Sequence, residues 1–93
     1  MPIQEKVVSP SQVKSIVRTF VIDNFLFGQG REFSDSDSFL EHGLIDSMGI
    51  LTLLEFVSEQ FDIRVADDEI VPENWDSLDR IATFVNSKRK QSK

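Results

Sequence analysis

The 93-residue chain has no cysteine and a single histidine, His42. Without cysteine there is neither a disulfide framework nor a thiolate metal site, and one histidine argues against a zinc centre. Long hydrophobic runs are also missing, far short of the roughly 18 to 20 apolar residues that a membrane-spanning helix needs. The N-terminus lacks the basic and apolar blocks of a secretory signal. A soluble cytoplasmic protein is therefore expected. Bases are scarce in the middle of the chain: residues 32–79 hold fourteen Asp and Glu against Arg64 alone, a balance of −13. The two ends hold two acids and nine bases, a balance of +7, which brings the chain to its net −6. An acidic middle argues against a nucleic-acid partner, because phosphates need a basic surface. It favours basic protein partners steered by long-range field, although acids also simply keep a small domain soluble. Lys88-Arg89-Lys90 is read as a helix C-terminal charge bias with a frayed end.

What is present is enough for one modest core: 40% apolar residues, eight of them phenylalanine. That makes one small domain, with its core at about 10–87 and loose tails at 1–8 and 88–93. Ser9 reads as an N-cap, with Pro10 at the first helical position and Gln12 completing a capping box. Val13, Ile16, Val17, Phe20 and Val21 follow at helical spacing and predict a helix over about 10–26, stopped by Gly28 and Gly30. A long connection follows, polar to Ser38 and then apolar at Phe39, Leu40, Leu44 and Ile45; long ordered loops with buried anchors are often functional. Gly43 is expected to supply a backbone conformation that other residues resist.

Asp46 caps a second helix over about 47–61, with Ile50, Leu53, Leu54, Val57 and Phe61 as its core face. Met48, Leu51 and Glu55 then share another face, and an exposed apolar strip beside acids suggests a contact surface. One or two short turns are expected over 66–71, ended by Pro72. Trp75 is an anchor, and Asp76 or Ser77 caps a last helix to about residue 87 with Leu78, Ile81, Ala82 and Val85 buried. The fold class is all-α: a small four-helix bundle of three main helices and one short one, with a long first loop.

Ser47, at the start of the second helix, has three possible roles. A nucleophile needs an adjacent base and an orienting group; His42 lies upstream in the loop, and there is no G-x-S-x-G turn. No catalytic residue and no metal site is expected. A cap is compatible with Ser47, but Asp46 alone suffices. An anchor for a phosphate ester is favoured by the free N–H groups and positive dipole end of a helix start.

Gly43-Leu44-Ile45-Asp46-Ser47-Met48, in its order of helix, long loop, Asp-Ser, apolar helix ending in Phe61, short acidic helix and Trp75-Asp76-Ser77-Leu78, resembles the attachment motif of acyl carrier proteins and peptidyl carrier domains. The usual form is Asp-Ser-Leu, so Met48 departs from it while remaining unbranched and apolar. The resemblance covers residues 10–87. It implies a carrier, not an enzyme, and a monomer. A phosphopantetheinyl transferase would place 4'-phosphopantetheine on Ser47, and Asp46 would serve transferase recognition or hold a metal during delivery. The arm's thiol would hold acyl intermediates as thioesters for loading ligases and synthases. The resemblance makes Met48, Leu51, Glu55 and Glu59 the partner surface, and Leu53, Phe56, Ile70 and Leu44 the lining of a cargo shelter. Gly49, Thr52 and Ser58 stand where fatty-acid carriers usually carry acids, which points to a specialised lipid or secondary-metabolite pathway. Acyl cargo is favoured over aminoacyl cargo. Val71–Ser77 nonetheless resembles aminoacyl carriers such as the D-alanyl carrier proteins, and an unmodified carrier-like docking module is the remaining alternative.

Overall fold

The computed structural model describes residues 9–25 and 33–91, and of residues 90 and 91 the backbone alone. Helix α1 runs Pro10–Asn24. Ser9 Oγ accepts the Gln12 N–H at 3.2 Å, and the Gln12 side chain accepts the Ser9 N–H at 2.9 Å. This reciprocal box satisfies two donors that a helix start otherwise leaves orphaned. Val13, Val17 and Val21 are fully buried, one above another on a single face. Gly28 and Gly30, the expected stop, lie outside the described residues.

Helix α2 runs Ser47–Phe61 and buries Ile50, Leu53, Leu54, Val57 and Phe61, the expected face. It ends on Asp62 in the left-handed region, φ 56°, a conformation that a short polar side chain tolerates better than most. A 3-10 turn at Asp67–Glu69 follows. The expectation that Pro72 ends a short helix is corrected: Pro72 opens helix α3, Pro72–Trp75. Its fixed φ and missing N–H suit the first helical position. Helix α4 runs Leu78–Gln91, capped by Ser77, whose Oγ accepts the Arg80 N–H at 3.1 Å. It continues past the expected end near 87. There Lys88 Nζ lies 2.9 Å from Glu69 Oε1, and Arg89 Nη1 donates to the Phe61 carbonyl at 2.8 Å, a C-terminal carbonyl of α2.

All regular elements of the described residues are helical, three long and one short. None is long and apolar enough to cross a membrane. Helix α1 packs along α4, and α3 packs on α4. The buried faces of α1, α2 and α4 meet in one cluster that also takes in Trp75 from α3 and Phe33, Phe39, Leu44 and Ile45 from the connection between α1 and α2. Each fully buried aliphatic or aromatic side chain contributes roughly 1.5–3 kcal/mol. Between α1 and α2, Phe20 stacks on Phe56 at 4.0 Å, and Phe25 meets Phe20 edge-on at 5.9 Å.

Gly49 sits where α2 crosses this aromatic group. A Cβ there would lie 2.7 Å from Ile45 Cγ2 and 2.9 Å from Phe25 Cε1. The glycine is thus required by packing, which corrects its reading as a surface position that has lost an acid.

The basic ends fold back onto the acidic middle. Lys14 Nζ pairs with Asp79 at 3.0 Å and Asp35 at 3.4 Å. Arg18 Nη2 reaches Asp35 at 2.5 Å, Nη1 donates to the Phe33 carbonyl at 2.7 Å, and the guanidinium lies 4.6 Å from the Phe33 ring centre. The Arg18 hydrogen bond holds the Asp35 carboxyl below its ordinary value, with Lys14 adding to it. Bonds from the Ala66 N–H and then Lys88 do the same for Glu69. Hydrogen bonds to Asp79 and then Asp35 raise Lys14.

Two outcomes follow from this packing. Replacement of an open helical glycine by alanine stabilises by about 1 kcal/mol; Gly49→Ala should instead destabilise by about 1–3 kcal/mol through overpacking, measured by urea unfolding. The depressed carboxyls contribute stability above their ordinary values of 3.8 for Asp35 and 4.5 for Glu69, lost as pH falls through their lower folded values. The raised Lys14 contributes below 10.5 and is lost as pH rises through its higher folded value. Thermal midpoints should therefore plateau between these limits and fall on the acid side, and Asp35→Asn should make the acid fall shallower.

Candidate functional site

The site is built where the long connection enters α2. Asp46 has extended backbone, and its Oδ1 accepts the Gly49 N–H at 2.8 Å. Its carbonyl accepts the first helical bond, from Ile50 N–H at 3.0 Å. Asp46 is therefore the N-cap, and Ser47 is the first helical residue. The Ser47 side chain is exposed and makes no hydrogen bond to the described residues. Of the two adjacent residues that could cap, one does so and the other keeps a free hydroxyl. The N–H groups of Ser47 and Met48, ahead of the capped Gly49, have no partner among the described residues.

Residues 33–46 of the connection that delivers this pair are tied down by burial and hydrogen bonds. Phe39 is fully buried and Leu44 and Ile45 nearly so. The Phe39 carbonyl accepts the Leu44 N–H at 2.9 Å and the Ile45 N–H at 3.5 Å. Gly43 has φ 66°, which supplies the left-handed turn that its composition predicts. Its N–H donates to the Leu40 carbonyl at 3.2 Å, and the His42 N–H donates to Ser38 at 3.1 Å. Asp76, an alternative candidate for the cap of α4, instead faces this connection. One carboxylate oxygen accepts the Ser38 hydroxyl, the other accepts the Leu40 N–H at 3.1 Å, and the Asp76 carbonyl accepts the Phe39 N–H at 2.9 Å. His42 lies 3.8 Å from Asp37 and is exposed, on the loop and not beside a nucleophile.

The four expected surface residues are exposed along α2. Met48 is 74% exposed and Leu51 49%, with Glu55 and Glu59 also open to solvent. Spacings of three and four place them in one line down the helix. Neither glutamate side chain has a partner among the described residues. Leu40, at 39% exposure, adds an open apolar side chain on the connection. The sequence groups it with Phe39, Leu44 and Ile45 as an apolar anchor of the loop; those three are buried and Leu40 is not.

A cavity of about 440 Å³ lies between α2 and the segment before α3, lined by Leu51, Leu54, Glu55, Ser58, Ile63, Arg64, Val65 and Ile70. Of the expected lining only Ile70 belongs to it. Leu44 and Leu53 are core residues, because the faces that carry them turn inward. Phe56 lines a separate cavity of about 370 Å³ beside α1, against Phe20. Polar lining from Glu55, Ser58 and Arg64 was not foreseen. Among the described residues no cluster of three or more His, Asp or Glu could hold a metal.

The chain has relatives among curated proteins. No family model matches the chain. A curated D-alanyl carrier protein of Streptococcus gordonii is 30% identical over 69 residues, which are 74% of this chain and 86% of that protein. One from Lactobacillus acidophilus is 35% identical over 60 residues, 62% of this chain and 76% of its own length. Another, from Lactococcus lactis, is 34% identical over 62 residues, 67% and 77%. On these identities the chain belongs to the acyl and peptidyl carrier protein family, as a carrier and not an enzyme.

Proposed function

We propose that this protein is an aminoacyl carrier of the D-alanyl type, with Ser47 as the attachment point of 4'-phosphopantetheine. The observation that carries the attachment point is the division of work at the start of α2. Asp46 caps the helix through Gly49, so the Ser47 hydroxyl is exposed and uncommitted. The residues present fit a phosphate ester there: a free hydroxyl, two backbone N–H groups without partners among the described residues, and the positive end of a fifteen-residue helix. Asp46 keeps the N-terminal turn wound while Ser47 reacts. When bound, the group supplies a terminal thiol that holds cargo as a thioester, a sulfur that the cysteine-free chain does not itself provide.

The choice of cargo rests on the relatives, all D-alanyl carrier proteins, and reverses the preference for acyl cargo drawn from the sequence. The Val71–Ser77 segment points the same way. A phosphopantetheinyl transferase and an aminoacyl-loading ligase are then the partners. Leu40, Met48 and Leu51 offer them apolar contact, and Glu55 and Glu59 offer charge.

Incubation with coenzyme A and a broad-specificity transferase should add one phosphopantetheinyl group, localised to Ser47 by peptide mass mapping, and Ser47→Ala should fold and gain nothing. Unchanged mass in the wild type would leave the protein as an unmodified docking module. Cargo recovered from native cells by thioester cleavage should be D-alanine; a fatty acyl chain would restore the acyl reading. Glu55→Lys or Glu59→Lys should raise the KM for the transferase or ligase about fivefold at roughly 0.01 M salt. That effect should fade near 1 M, where the screening length is about 3 Å, whereas Leu51→Ser should weaken association at every salt concentration.

A further inference from the structure

We propose that Asp76, far from Ser47 in sequence, is a positioning residue for it: it fixes the connection that sets Ser47 in place for the enzymes that modify and load it. The inference rests on the reading of Ser47 as the attachment point. Asp76 is spare for local folding. Ser77 caps α4, and the Asp76 N–H closes α3 on the Pro72 carbonyl at 3.0 Å. Its carboxylate and carbonyl are committed to three consecutive residues of the connection, Ser38, Phe39 and Leu40. Ser38 Oγ, having donated to Asp76, accepts the Glu41 N–H at 3.1 Å, so a fourth residue is held through the same carboxylate.

From this clamp a short path leads to the site. Phe39, held by the Asp76 carbonyl, accepts from Leu44 and Ile45. Ile45 is 3% exposed and immediately precedes the cap Asp46. Two further contacts bear on the same point: Ile45 Cγ2 abuts Gly49, and Asp46 Oδ1 holds the Gly49 N–H. The Ser47 side chain has no bond of its own to the described residues, so its setting depends on what precedes it. Leu40 is exposed on the same connection that delivers Asp46 and Ser47, and its N–H is held by Asp76 from the junction after α3. Displacement of a reacting atom by about 1 Å costs up to about 100-fold in rate.

The reaction to measure is transfer from coenzyme A. The Ser47 Oγ–P bond forms, the P–O bond within the pyrophosphate breaks, adenosine 3',5'-bisphosphate leaves, and the hydroxyl proton passes to base. The full chain would be compared as wild type, Asp76→Ala, Ser38→Ala and the double variant, with kcat/KM read by intact mass at a temperature where circular dichroism shows every protein folded. Val85→Ala, a core truncation in α4, controls for lost stability alone. Asp76→Ala should lower kcat/KM about tenfold or more. Ser38→Ala should lower it less, and the double variant should be no worse than Asp76→Ala, because the two act through one bond. Amide exchange should speed at Leu44 and Ile45 while α1 and α4 keep their protection, and Val85→Ala should be modified at nearly the wild-type rate. Ser38→Ala, which removes one bond, keeps the comparison available if Asp76→Ala does not fold. Wild-type kcat/KM in Asp76→Ala, or equal slowing in Val85→Ala, would overturn the positioning role. A wild-type protein that gains no group would overturn the Ser47 reading instead, and is distinguished by having no rate to compare.

Discussion

The carboxylate of Asp76 joins two parts of the chain that nothing local would bring together. Among the described residues, the connection between α1 and α2 has no helix or sheet ladder to satisfy its backbone, and a buried residue such as Phe39 still requires partners for its N–H and carbonyl. Asp76 supplies the first partner and the turn through Gly43 supplies the second. On either side of Phe39 the Asp76 carboxylate, a charged acceptor, holds Ser38 and Leu40 more strongly than a neutral group would, and its half-buried position shields those bonds in part from water. Once Phe39 is fixed, Leu44 and Ile45 can enter the core, and the start of α2 is defined by what is already packed. The site is thus an exposed serine carried on a strongly determined foundation.

Charge is arranged to the same end. The sequence separates basic ends from an acidic middle, and the fold spends much of that separation internally: Lys14 and Arg18 on Asp35 and Asp79, Lys88 on Glu69. Such exposed pairs contribute little each, but they hold the connection and the segment before α3 against α1 and α4. The α2 acids Glu55 and Glu59 take no part in these pairs. The surface near Ser47 therefore combines open apolar side chains with a few unneutralised acids, in contrast to the uniformly acidic face that the net charge alone suggests.

Much of this was legible in the sequence because it is governed by neighbours. The Ser9–Gln12 box, the core face of α2 and the Asp46 cap all follow from spacings of three and four. Pro72 was misjudged because proline both ends and begins helices, and only the 3-10 turn before it decides between them. Asp76 was ambiguous with Ser77 for the same local reason: both are good caps, and the residue that loses the competition becomes available for a contact 36 residues away. Gly49 was misread because its cause lies in Phe25 and Ile45, which no spacing along α2 reveals. Local rules specified the elements, and the long-range bonds that place the serine left no periodic trace.

The polar residues around the larger cavity bear on the cargo. An acyl chain laid between α2 and the segment before α3 would gain contact with Leu51, Leu54, Ile63, Val65 and Ile70. It would also lie beside Ser58 and beside Glu55 and Arg64, both of them exposed, so that part of the wall stays solvated. A cargo of a few polar atoms needs no such shelter and is compatible with solvated walls.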